Sequence, residues 1–227
     1  MSARTTSKNK FSHYWSVIKT AIRGDEQDYT TLNIRKAIIL LSIPMMLELI
    51  LESVFAVVDI FFVNKLGSHA VSTVGLTESV ITIFYSVGIG LSAAATALVA
   101  RRVGEKNNDQ AAHAGAQGIL LCIGTSVLLS IPGFLFADDI LRWMNAEPEV
   151  IEMGTNYARI MFTGNVLIIL LFVINGIFRG AGNAAIAMRS LWIGNIFNIV
   201  LDPLFIFGIW FFPEMGVTGA AVATTIG

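Results

Sequence analysis

The chain has 227 residues, a formal net charge of −1, 55% hydrophobic and only 14% charged residues, and a mean hydropathy of +0.70. Soluble domains carry about 25% charged residues, so this chain has too little polar surface to coat a soluble globule and reads as an integral membrane protein. The lack of a basic stripe with interleaved aromatics excludes a nucleic-acid partner, the single Cys122 excludes an internal disulfide, and His13, His69 and His113 lack the spacing of metal ligands.

Residues 1–36 form a polar, basic segment. Within it Phe11, Trp15, Ile18 and Ile22 recur at helical spacing and point to a short interfacial helix, with a disordered tail as the alternative reading. Thr30 or Thr31 offers a cap for the first apolar run. Five runs of spanning length follow, at about residues 37–63, 72–100, 113–136, 157–178 and 187–212. Between the third and fourth, residues 137–156 read as a surface helix, with Leu141, Trp143 and Met144 at the interface and Pro148 punctuating it. A sixth run, 216–227, offers about 18 Å of helix against a hydrocarbon core of about 30 Å. It is expected to be an incomplete span, and the chain a piece of a longer protein.

Basic residues flank the spans unevenly. Arg35, Lys36, Arg101, Arg102, Lys106, Arg179 and Arg189 lie on one side. The other carries Lys65, Arg142 and Arg159 amid Asp138, Asp139, Glu147, Glu149 and Glu152. The positive-inside rule places the first side, with the N-terminus, in the cytoplasm. The expected location is the cell (inner) membrane, crossed several times.

The first span, within PMMLELILESVFAVVDIFFVNKLG (residues 44–67), holds three carboxylates in an otherwise apolar run. Glu48, Glu52 and Asp59 fall within about 40° on a helical wheel. A carboxylate at bilayer depth costs on the order of 2.5 kcal/mol or more, so such residues face a protein interior or a water-filled path and mark ion or substrate handling. In the fifth span, GNIFNIVLDPLFIFG places Asn195, Asn198 and Asp202 within about 60°. Pro203 then removes a backbone donor and frees a carbonyl. Both helices run outward, so Asp59 and Asp202 share the outer half and could meet in a cavity opening there. Glu78 falls early in the second span, and Asn175 is the deepest polar residue of the fourth. Beside Asn175, Gly176 and Gly180 form a small-xxx-small pair that permits close helix approach.

Four motifs in order, VVDIFFVNKLG, ATALVARRVGEKN, NGIFRGAGNA and GNIFNIVLDPLFIFG, resemble those of the multidrug and toxic compound extrusion (MATE) transporters, over roughly residues 35–227. The resemblance implies an all-α integral membrane protein. Residues 37–227 would be the N-terminal lobe, a bundle of six transmembrane helices with the sixth truncated, forming one half of a twelve-helix, two-lobe transporter. The missing C-terminal lobe and the lipid bilayer would be its structural partners. The activity implied is export of organic, often cationic, compounds in exchange for protons or sodium, with no other cofactor and no enzymatic step. By resemblance the coupling ion is handled by Asp59, Asn175, Asn198 and Asp202, with Thr224 a further candidate. Glu52, Glu78 and Asn195 are auxiliary candidates for proton relay or attraction of a cationic substrate. Phe55 departs from relatives that carry a tyrosine one turn before the first-span aspartate, which leaves the choice of ion open. No metal is implied beyond Na+ at this cluster.

The expected mechanism is alternating access, in which protonation or sodium binding at the Asp59 and Asp202 cluster competes with substrate and changes helix packing. A lipid-linked oligosaccharide flippase would need a more basic cavity for its phosphates, whereas the intramembrane charges here are acidic. An intramembrane protease or transferase would need a nucleophile paired with a base, or a metal set, and no such pairing is evident. Residue types alone leave a passive channel open. Glu48 gains no motif or partner from the sequence and is assigned a structural role.

Overall fold

The computed structural model describes residues 15–25 and 27–227. Every regular element among them is a helix: α1 (residues 15–23), α2 (Ile34–Asn64), α3 (Ser68–Gly104), α4 (Asn108–Leu135), α5 (Ala137–Trp143), α6 (Pro148–Gly180), α7 (Ala184–Phe207) and α8 (Val217–Ile226). α3, α4, α6 and α7 are each long and apolar enough to cross a membrane, and α8 is a shorter apolar helix. α2 has 31 residues, or about 46 Å at 1.5 Å per residue. It has the length for a span, and three carboxylates interrupt its apolar run.

Side-chain amides start three of the long helices on the expected cytoplasmic side. Asn33 accepts from the Arg35 amide at 3.0 Å, Asn107 from that of Gln110 at 3.1 Å and Asn183 from that of Ile186 at 3.2 Å. Each satisfies an otherwise orphaned first-turn donor. The cap expected at Thr30 or Thr31 is therefore Asn33. Those threonines fold back on Asp28 instead, with the Thr30 amide donating to its carboxylate at 3.0 Å and the Thr31 hydroxyl to its carbonyl at 3.0 Å. Gly208, at φ 64°, closes α7 in the left-handed conformation that glycine adopts without steric cost.

α6 is the central helix. It packs against α3, α4, α5, α7 and α8, while α2 packs chiefly on α7. Between α3 and α6 the helices approach closely because one supplies hydroxyls and the other glycines. Thr96 Oγ1 donates to the Gly176 carbonyl at 2.8 Å and Ser92 Oγ to that of Phe172 at 2.6 Å. A Cβ on Gly180 would stand 2.6 Å from the Thr96 carbonyl oxygen. The Gly176/Gly180 pair thus acts as its spacing predicts. On the α5 side of this interface, Phe84 of α3 meets Phe162 of α6 with ring centroids 5.6 Å apart. Around this core the outward faces remain apolar, with Leu49 61%, Val57 66%, Leu120 70% and Leu128 71% exposed. An apolar exterior this extensive suits a lipid surround rather than water.

Two expectations need correction. The surface helix of residues 137–156 is in fact only α5, because Pro148 occupies the first turn of α6, a position where its missing N–H costs nothing. Within α5 Trp143 is 79% exposed, but Leu141 is 1% exposed and belongs to the core. α1 buries Val17 and Ala21 beside Leu40 of α2 and leaves Trp15 and Ile22 exposed. Phe11, the first position of that predicted face, lies outside the described residues.

Candidate functional site

α7 carries the best-defined polar cluster. The i, i+4 spacing of Asn198 and Asp202 stacks them one turn apart on its inner face, where they are 3% and 0% exposed. In the orientation that satisfies both ends of its amide, Asn198 Nδ2 donates to Asp202 Oδ2 at 2.8 Å and to Oδ1 at 3.3 Å. Its Oδ1 then accepts from Thr224 Oγ1 at 3.2 Å and from the Thr224 amide at 3.1 Å. One asparagine therefore ties a buried carboxylate on α7 to the backbone of α8. Orphaned polar groups are costly in an apolar interior, and this arrangement leaves the amide fully satisfied.

Asp59 approaches from α2. It is partly buried, and its Oδ1 is enclosed without a hydrogen-bond partner among the described residues. Its charge acts on Asp202 and on Glu78 of α3, so three helices direct carboxylates at one region. Tyr157 of α6, 3% exposed, lies in the field of Glu78, Asp59 and Asp202 together. Tyr85 of α3 lies in that of Glu78 and Glu52. Neither tyrosine was evident as a site residue from the sequence. Tyr157 begins an apolar run, where an aromatic is ordinary as an interfacial anchor.

The remaining candidates are more scattered. Glu52 is exposed on α2 and Asn195 half-buried on α7. Asn175 is 1% exposed, and its Nδ2 has no hydrogen-bond partner among the described residues. It sits one turn from the end of α6, whereas Asp202 is near the far end of α7. The helical rise separates the two in depth by about 20 Å. Asn175 is closer along α6 to Arg179, whose Nη2 donates to Glu48 Oε1 at 3.0 Å. Sequence reasoning also missed Asn165, buried midway along α6 with neither amide atom paired among the described residues. On the surface, His69 comes within 3.8 Å of Glu147 beside Glu149, an exposed trio with no signal in the linear spacing.

Chemically, the α2, α3, α7 and α8 groups are carboxylate, amide and hydroxyl oxygens in an apolar surround, a donor set for a proton or a hard cation. Residues 44–204 match the MatE family. The chain belongs to that family. The probable multidrug resistance protein NorM of Thermotoga maritima is 33% identical over 193 residues, covering 85% of this chain and 42% of that protein. The probable multidrug resistance protein YoeA of Bacillus subtilis is 30% identical, over 81% and 40% respectively. Among solved structures, the outward-facing conformation of a multidrug resistance MATE family transporter superposes with a TM-score of 0.78 at 32% identity, covering 91% of this chain and 43% of that one. This MatE chain spans about two fifths of the length of these curated relatives, matching one lobe of the MATE fold.

Proposed function

We propose that this lobe belongs to a cation-coupled antiporter that exports organic, cationic compounds by alternating access, with a second lobe completing the substrate path. The observation that carries this is the Asn198 bridge between Asp202 and Thr224, with Asp59 facing it from α2. While Asp202 is charged, the Asn198 amide N–H holds it. A proton on Asp202 removes the charge that orients the amide. A sodium ion instead requires the amide to turn its oxygen inward, so that Nδ2 donates to Thr224 Oγ1 at 3.2 Å while the Thr224 amide loses its acceptor. In either case α7 and α8 lose a shared constraint, and the ion is thereby linked to helix packing. Glu78 and Glu52 extend the acidic lining along which a cationic substrate competes with the ion. Asn195 midway along α7 and Asn175 nearer the cytoplasmic side are further polar steps.

The partly buried Arg179 is neutralised by Glu48, so the intramembrane balance stays acidic. This supports a cationic substrate over the phosphates of a lipid-linked oligosaccharide. The N-terminus lies in the cytoplasm in this arrangement, and the membrane is the cell (inner) membrane.

The test is flux of a fluorescent organic cation in proteoliposomes holding the full-length protein, with proton and sodium gradients imposed separately. One gradient should drive flux, and Asp59→Asn and Asp202→Asn should each abolish it. Flux indifferent to both gradients, or undiminished in both variants, would overturn the proposal.

A further inference from the structure

α4 and α6 leave a lateral groove of about 420 Å³ on the flank of the bundle. Val127, Ile131, Leu135 and Val166 supply its apolar walls, and Ser130 and Thr163 its polar atoms. The exposed Phe134, Phe136 and Trp143 mark this end of the bundle as the level of the membrane interface, where aromatics collect.

At that level stands Arg159 of α6, its guanidinium 5.7 Å from the centre of the Phe134 ring. Its Nε is enclosed, with no hydrogen-bond partner among the described residues. Asp138 is near enough for their charges to interact, but that carboxylate is taken by Arg142 Nε at 2.8 Å, and Asp139 also lies in the field of Arg142. Arg159 is thus a cation at the interface without an ion pair among the described residues. One turn below Phe134, Ser130 lines the groove. It is 7% exposed, and its Oγ lacks the partner that a buried hydroxyl in a helix ordinarily finds in the preceding turn.

We propose that this groove binds an anionic phospholipid from the leaflet on the α5 side. The phosphate sits on Arg159, where a guanidinium offers a forked set of donors. Ser130 Oγ donates to an ester carbonyl one turn deeper, and one acyl chain lies along Val127, Ile131 and Val166. The rise from Val127 to Leu135 is about 12 Å, enough for the glycerol backbone and the first carbons of a chain. Three separate features point to one amphiphile: a cation at headgroup depth, an unpaired buried hydroxyl one turn deeper, and an apolar trough that runs alongside and past it.

The test is native mass spectrometry of the detergent-purified protein, with phosphatidylglycerol or chain-matched phosphatidylcholine added separately. Phosphatidylglycerol should be retained about fivefold over phosphatidylcholine, as expected for one basic residue at an interface. Arg159→Gln should bring the two to parity. Val166→Trp or, if that variant does not fold by thermal unfolding, Ile131→Trp should remove both adducts, while Val57→Trp on a different helix should leave them unchanged. Equal retention of the two lipids by the unmodified protein would overturn the proposal. So would a preference that survives Arg159→Gln, or adducts that survive filling of the groove.

Discussion

Arg179 of α6 donates to Glu48 of α2 at 3.0 Å, joining two helices that otherwise touch little. The pair is mostly buried, with side-chain exposures of 22% and 9%, and it is the main tie between α2 and the central helix. Removing one partner leaves a charge in an apolar surround, a cost of about 3 kcal/mol or more for well-buried pairs. Glu48→Ala should therefore lower the midpoint of thermal unfolding in detergent markedly. Glu48→Ala combined with Arg179→Met should recover most of the loss, because an apolar pair leaves no stranded charge. A double variant no better than the single one would show that the ion pair itself, rather than avoidance of an unpaired charge, holds α2.

The close approach of α3 to α6 leaves no room for a side chain at Gly180, since the nearest atom is the backbone oxygen of Thr96, which cannot rotate away. Gly180→Ala should cost about 1–3 kcal/mol of stability through overpacking. Thr96→Val removes the hydrogen bond to the Gly176 carbonyl and should cost less, about 0.6 kcal/mol on the scale of interhelical bonds in membranes. Thermal unfolding of the two variants side by side measures the order, and a Gly180→Ala protein as stable as the parent would contradict the packing described.

Asn198→Ala leaves buried Asp202 without its amide donors, a loss of about 1–3 kcal/mol. Ion-coupled flux should fall by about tenfold or more. Thr224→Ser keeps the hydroxyl and should retain flux, whereas Thr224→Val should not. Equal flux in the serine and valine variants would remove Thr224 from the site.

At the cytoplasmic end of α3, Glu105 accepts from Arg101 Nε and Arg102 Nη1, each at 2.9 Å. These bonds hold its carboxyl below the ordinary glutamate range. A carboxylate with a depressed folded value contributes stability above its unfolded value, near 4.3, and loses it as pH falls through the lower folded value. Between pH 5 and 8 this group should therefore leave stability flat. Arg101→Gln with Arg102→Gln should move the Glu105 titration, followed by carboxyl NMR, upward toward the ordinary value.

What could be read in advance followed the helical period. A spacing of four residues puts Asn198 and Asp202 on one face, and they share a hydrogen bond. The spacing of Gly176 and Gly180 likewise predicted close helix approach. The limits of α5 and α6 are not legible in the sequence because a proline marks a helix start as readily as a break, and Pro148 starts α6; nor is the burial of Leu141, because a short helix gives little periodicity from which to choose its buried face.

By itself the sequence determined that the chain belongs in a membrane, where its long helices run, and which polar residues share a helix face, since apolar length and a 3.6-residue period are local properties. Only the tertiary structure decided which faces meet. Glu48 found Arg179 across 131 residues although no motif linked them. Tyr157 came under the fields of Asp59, Glu78 and Asp202, while Asn175 was left at the opposite end of the bundle. These outcomes depend on how closely glycines let α3 and α6 approach and on where α2 leans, and both are set by packing between residues distant in sequence.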